Sequence, residues 1–101
     1  MFQYIIVRGD LPRGVQSAML VHAAGESSPG NLPDDTHAVV LVARDELQLA
    51  LLADKLEAHG LRIKRVREPD APYNGALMAI GIAPAQKEAI RRLVSSVPLL
   101  K

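Results

Sequence analysis

The segment between the strand patterns at 61–67 and 76–82 is too short to hold a helix, and that one connection constrains the whole chain. Parallel strands need a crossover of a dozen or more residues, whereas antiparallel strands can be joined by a tight turn. Glu68 to Asn74 is rich in proline and closes on Asn74-Gly75, a strong turn dipeptide. The fourth strand is therefore expected to run antiparallel to the third. The earlier strand-to-strand connections carry helical patterns, so the rest of the sheet should be parallel.

Phe2 to Val7 reads as a strand ending at Gly9-Asp10. Pro12 is placed to open a helix whose apolar face recurs at Val15, Ala18, Met19, His22 and Ala23 and runs to about Ala24, with Gly25 closing it. Glu26 to Asp35 is a loop of breakers, long enough to suggest a functional reason. Val39-Val40-Leu41-Val42 is a continuous apolar run, as in a strand covered on both faces. Asp45 with Gln48 is an acidic version of a capping box. The second helix should bury Leu49, Leu52, Ala53 and Leu56 and end on Gly60 as a left-handed cap, with His59 in its last turn. Leu61 to Arg67 and Ala76 to Ile82 are the last strands. A third helix is expected from Pro84, with Ala89, Ile90, Leu93 and Val94 inward and Pro98 as its stop. The order β-α-β-α-β-β-α predicts a three-layer α/β/α fold on a four-stranded mixed sheet, as a single domain over 1–101.

The composition agrees: 101 residues, 49% hydrophobic and 23% charged, are those of an ordinary globular domain. The absence of cysteine excludes disulfides, thiolate metal sites and a cysteine nucleophile. His22, His37 and His59 show no metal-ligand spacing, so no metal is expected. No apolar run approaches the roughly 20 residues of a membrane span, nor does the N-terminal run resemble a signal segment. A cytoplasmic protein without a membrane partner is the expectation. The net charge of +1 carries no message by itself, so a nucleic-acid argument must rest on how charge is distributed.

In open α/β sheets ligands gather at strand ends, which directs attention to the loops 8–14, 25–36 and 67–75. They carry Arg8, Asp10, Arg13, Glu26, Ser27, Ser28, Glu68, Asp70, Tyr73 and Asn74. Arg13 and Gly14 at a helix N-terminus could cradle a phosphate, or form a simple turn. His22 and Glu26, four apart, could make a proton shuttle, or His22 could be a packing residue. Glu68 and Asp70 flank Pro69, where two carboxylates could activate water or merely keep a loop solvated. The serines have no neighbouring base and no GxSxG is present, which argues against a serine triad. Arg62, Lys64, Arg65 and Arg67, with Arg91 and Arg92, could converge on phosphates, or the charged strand could guard a sheet edge. Three aromatic residues are too few for a base-stacking platform.

Tyr4 to Leu11, then Gly14 and His22-Ala23-Ala24, together resemble the opening of the archaeal/eukaryotic-type (type 2) peptidyl-tRNA hydrolases. The Arg67-Glu68 loop, the strand ending Ile80-Gly81-Ile82-Ala83-Pro84 and the terminal Pro98 to Lys101 are similar to that family's second half. The similarity covers nearly the whole chain and is closest to the peptidyl-tRNA hydrolase domain-containing branch. It implies cleavage of the ester between peptide and tRNA, with no metal or organic cofactor. tRNA or peptidyl-tRNA is the implied partner, and a homodimer is left open. The family's lysine falls on Val15 and its glutamine on Met19. Its aspartate falls on Glu68, with Asp70 as a gapped alternative, and its threonine has no equivalent near Ala76 or Met78. His22 is kept. Since Arg13 stays protonated it cannot be a base, so Glu68 or Asp70 would orient water while Arg13 binds a phosphate or developing oxyanion. A non-catalytic relative that binds tRNA or protein is the alternative.

Overall fold

A computed structural model describes residues 1–101. In chain order it contains β1 (Phe2–Arg8), α1 (Arg13–Ser27), β2 (His37–Ala43), α2 (Glu46–Ala58), β3 (Ile63–Glu68), β4 (Ala76–Ile82) and α3 (Lys87–Arg91). The strands form one mixed sheet in the order β2-β1-β4-β3. β1 and β2 are parallel, and β4 is antiparallel to both β1 and β3. The expected α/β class, element order and reversed fourth strand are all present. At the reversal, Asn74 and Gly75 both take positive φ, 48° and 89°, the conformation this dipeptide tolerates.

Alternating residues of each strand feed two cores. Tyr4 and Ile6 of β1 join Leu41, Leu49, Leu56, Ile80, Ile82, Ile90 and Val94 under α2 and α3. Ile5 and Val7 join Leu11, Met19, Ala23, Val66, Met78 and Ala79 under α1. Met78 and Ala79 can share a face because the β3–β4 register slips there: Val66 pairs with Ala79, Arg67 with Leu77, and Met78 is the extra residue of a bulge. No helix is long and apolar enough to cross a membrane.

Several local expectations need correction. α1 does not stop at Gly25 but continues to Ser27. The Ser27 hydroxyl donates to the Ala23 carbonyl at 2.7 Å, and buried Gln3 donates to the Ala24 carbonyl and to Ser27 Oγ, each at 3.0 Å. Gly81 of β4 makes room for this turn, since a Cβ there would lie 2.6 Å from Ser27 Oγ. The buried face of α1 is therefore Met19, Ala23 and Ser27, and both Ala18 and His22 point outward.

Pro84 does not open a helix. Phe2 and Ala85 exchange both backbone hydrogen bonds, at 2.8 and 3.0 Å, which holds this stretch extended. α3 is then only Lys87–Arg91, and Ile90, Val94 and Val97 are buried while Ala89 is exposed. β3 starts at Ile63 rather than Leu61. β2 is an edge strand, and on its α1 side Val40 and Val42 are only half-buried. The chain's own end partly covers that edge: Leu41 bridges Leu99, Val42 N–H donates to the Pro98 carbonyl at 2.9 Å, and Leu100 N–H to the Val40 carbonyl at 3.0 Å. The second helix is as expected. Asp45 accepts from Gln48 N–H at 2.9 Å, and Leu49, Leu52, Ala53 and Leu56 are buried.

Candidate functional site

Because β1, β2 and β3 run the same way, Arg8, Ala43 and Glu68 end on one edge of the sheet, and β4 starts there at Ala76. The loops 8–14 and 67–75 meet on this edge. The loop 25–36 feeds the start of β2 and lies at the opposite one, so only two of the three loops expected to carry chemistry come together.

Most polar groups of the shared edge are already engaged. Arg8 grips Asp10, with Nε 2.9 Å from Oδ1 and Nη2 3.0 Å from Oδ2, and its Nη1 donates to the Leu77 carbonyl at 3.1 Å. The hydrogen bond from Arg8 is the main reason the Asp10 carboxyl sits below its ordinary pKa; partial burial works against it. The Glu46 carboxylate accepts the Leu77 N–H at 2.8 Å, and Gln16 donates to the Arg8 carbonyl at 3.1 Å. Asp10 thus serves the turn rather than lying open to a ligand.

Two carboxylates remain. Glu68 ends β3 half-buried, and its own carbonyl accepts the Gly75 N–H at 2.7 Å, which closes the loop beneath its side chain. Asp70 is exposed, and its carbonyl receives both Tyr73 and Asn74 N–H, at 3.0 and 3.1 Å. Asn74 donates from its side chain to the Pro72 carbonyl at 3.3 Å and makes a turn within the loop. Neither carboxylate has an ion-pair partner.

On the β1–β2 side of the same edge two adjoining grooves share Gly9, Val42 and Pro98. One, of about 550 Å³, includes Arg13, Leu100 and Lys101, and the other, of about 360 Å³, includes Arg44. No aspartate or glutamate lines either, and the side chains of Arg13, Arg44 and Lys101 form no ion pair. The sheet approaches closely here, since Gly9 N–H donates to the Ala43 carbonyl at 2.7 Å and a Cβ on Gly9 would come within 2.8 Å of Val42. Gly14 lies open at the start of α1 and has no neighbour within 4 Å of a built Cβ. From β3 to β1 is two strand spacings, or about 10 Å. Arg13 opens toward the β2 side, away from Glu68, which suits it to a phosphate better than to an oxyanion forming beside Glu68.

The other expected residues do not join this edge. His22 is exposed on the outer face of α1, about 13 Å along the helix from Arg13 at 1.5 Å per residue. Glu26 is a turn further still, and no ion pair links the two. Arg65 is held by Glu57 at 3.1 Å and Asp54 at 2.9 Å on α2. Arg67 donates to the Gly75 carbonyl at 3.3 Å and braces the Glu68 loop. Arg91 lies with Phe2, Tyr4 and Leu41 over the other half of the sheet, so the basic residues of β3 and α3 do not converge. No group of three or more histidines and carboxylates gathers that could hold a metal ion. The sequence reading missed Arg44, Lys101 and Glu46. Arg44 directly precedes the Asp45 cap and could have been placed; Lys101 depends on the Leu41–Leu99 bridge, which no local pattern announces. No family model matches the chain, and no curated protein is significantly similar to it.

Proposed function

We propose that this chain binds the acceptor end of peptidyl-tRNA and hydrolyses the ester that joins peptide to tRNA. One observation supports the reading: two adjoining grooves lined by unpaired cations, Arg13 and Lys101 in one and Arg44 in the other, open on the same sheet edge at which Glu68 stands without an ion-pair partner. Arg13, Arg44 and Lys101 contact tRNA phosphates, which contribute salt-dependent affinity. Glu68 accepts a proton from water as the water oxygen bonds to the ester carbonyl carbon. The tetrahedral oxyanion then collapses, the bond to the ribose oxygen breaks, and that oxygen takes the proton back. The products are tRNA and the peptide's carboxylic acid, which gives its remaining proton to solvent and leaves as the carboxylate. No external oxidant or reductant is required.

A second reading is favoured by Met19, which is buried, and Val15, which is half-buried, where the family it resembles has glutamine and lysine. In that reading the edge binds tRNA without cleaving it. Release of labelled peptide from N-blocked aminoacyl-tRNA separates the two. Glu68→Gln is expected to lower kcat by about 100-fold or more, the usual range for a general base. Arg13→Ala is expected to raise KM with kcat largely kept. Release no faster than the uncatalysed rate leaves only the binding reading.

A further inference from the structure

The opposite edge of the sheet holds a separate cavity of about 440 Å³, which shares no lining residue with the grooves near Glu68. Its walls are apolar, built by Leu32 and Pro33 from the loop before β2 and by Ala83 and Pro84 after β4. Its charged lining is Arg62 and Lys64, both exposed and neither in an ion pair, and no carboxylate lines it. The volume is within the range of small-molecule sites, roughly 300–1,000 Å³.

From this arrangement we infer a binding site for a small organic monoanion, an apolar chain or ring ending in a carboxylate. The apolar body would lie between Leu32 and Pro84, and its head group would reach Arg62 and Lys64. Charge complementarity selects the anion, because two cations, Arg62 just before β3 and Lys64 on it, face a wall that offers no aspartate or glutamate. The end of α1 borders the cavity at Ser27, where helix carbonyls would ordinarily repel an anion. Three of these carbonyls are occupied: Ala23 accepts from Ser27 Oγ, Ala24 from Gln3, and Gly25 from Ser28 N–H. The site also gives the long 28–36 loop a role as a wall. It is independent of the hydrolase reading, since it lies at the other end of the strands.

Decanoate, kept below its micellar concentration, is the probe, with decanol as its neutral counterpart, and amide chemical shifts of the full chain are the readout. Decanoate should move the amides of Leu32, Arg62, Lys64 and Ala83 in a saturable way, and decanol should bind at least about tenfold more weakly. The double substitution Arg62→Ser and Lys64→Ser should weaken decanoate by a similar factor. Leu32→Asp, on an exposed loop, should abolish binding with the spectrum otherwise intact. Arg13→Ala should leave decanoate binding unchanged, which separates this site from the Glu68 edge. Equal affinity for decanol, an unaffected double variant, or shifts confined to Gly9, Arg13 and Lys101 would each overturn the assignment.

Discussion

Arg8 and Asp10 face each other through two parallel hydrogen bonds, Nε to Oδ1 at 2.9 Å and Nη2 to Oδ2 at 3.0 Å. The fork geometry matches a planar guanidinium to a planar carboxylate. Its consequence for function is selective. The pair neutralises the one carboxylate that follows β1 and ties the turn to Leu77 of β4. Glu68, on the far side of β4, is left as the half-buried carboxylate with no partner.

Asp10 makes acid stability a test of this pair. Its pKa is lowered in the folded chain from an ordinary 3.8, so its contribution is complete above that value and is lost as pH falls through the lower folded value. The Asp10 side chain is 41% exposed, and solvent screening limits the pair to about 1 kcal/mol or less. Asp10→Asn should therefore lower Tm at neutral pH, and the difference from wild type should shrink below about pH 4. Thermal melts at neutral and acid pH check this.

Gly81→Ala should cost about 1–3 kcal/mol, the usual penalty for overfilling a packed site. The added methyl would meet Ser27 Oγ at 2.6 Å and the Ala23 carbonyl, so α1 would have to lift away from β4. Urea unfolding reports the stability. Faster amide exchange in the last turn of α1 reports where the strain goes.

Salt dependence tests the cation groove. Each phosphate contact removed should flatten the plot of log binding constant against log salt by about one unit. Replacing Arg13, Arg44 and Lys101 together should reduce the slope for tRNA by about three. A slope unchanged by all three substitutions would move tRNA off this edge.

Met19→Gln inserts an amide into the α1 core beside Ile5, Val7 and Met78. Met19 is 7% exposed, and an unpaired amide buried there should cost about 1–3 kcal/mol. Val15→Lys, at a half-buried position, should be milder because a lysine stem can reach water from there. Denaturant midpoints of the two variants give the comparison.

What was legible in the sequence was local. The Asp45–Gln48 cap, the Asn74-Gly75 reversal and the stripe at Leu49, Leu52, Ala53 and Leu56 each depend on neighbours a few residues away, and all three are present. Val15, Met19 and Ala23 are compatible with two rotations of α1, and the one that also turns His22 inward is not the one the structure adopts. The rotation is fixed by the contact of Ala23 and Ser27 with Gly81, more than fifty residues along the chain. The same limit applies at the site. Glu68 could be named from its loop, whereas the groove that accompanies it is assembled by Gly9, Val42 and the chain end from three distant places.

The bridge between Leu41 and Leu99 also bears on how copies of this chain could meet. A sheet with two rims ordinarily has two places where a foreign strand can add. At β2 the Val42 N–H and the Val40 carbonyl are already taken by Pro98 and Leu100. At β3 the rim is open but carries the unpaired cations Lys64 and Arg67, with Arg62 just before it, which would oppose the same cations on an antiparallel twin. Growth by strand addition is hindered at one rim by partial occupancy and resisted at the other by repulsion. A self-association of this chain would therefore be expected to use helix faces, where Leu47 and Leu51 of α2 lie exposed one turn apart, in preference to its strands.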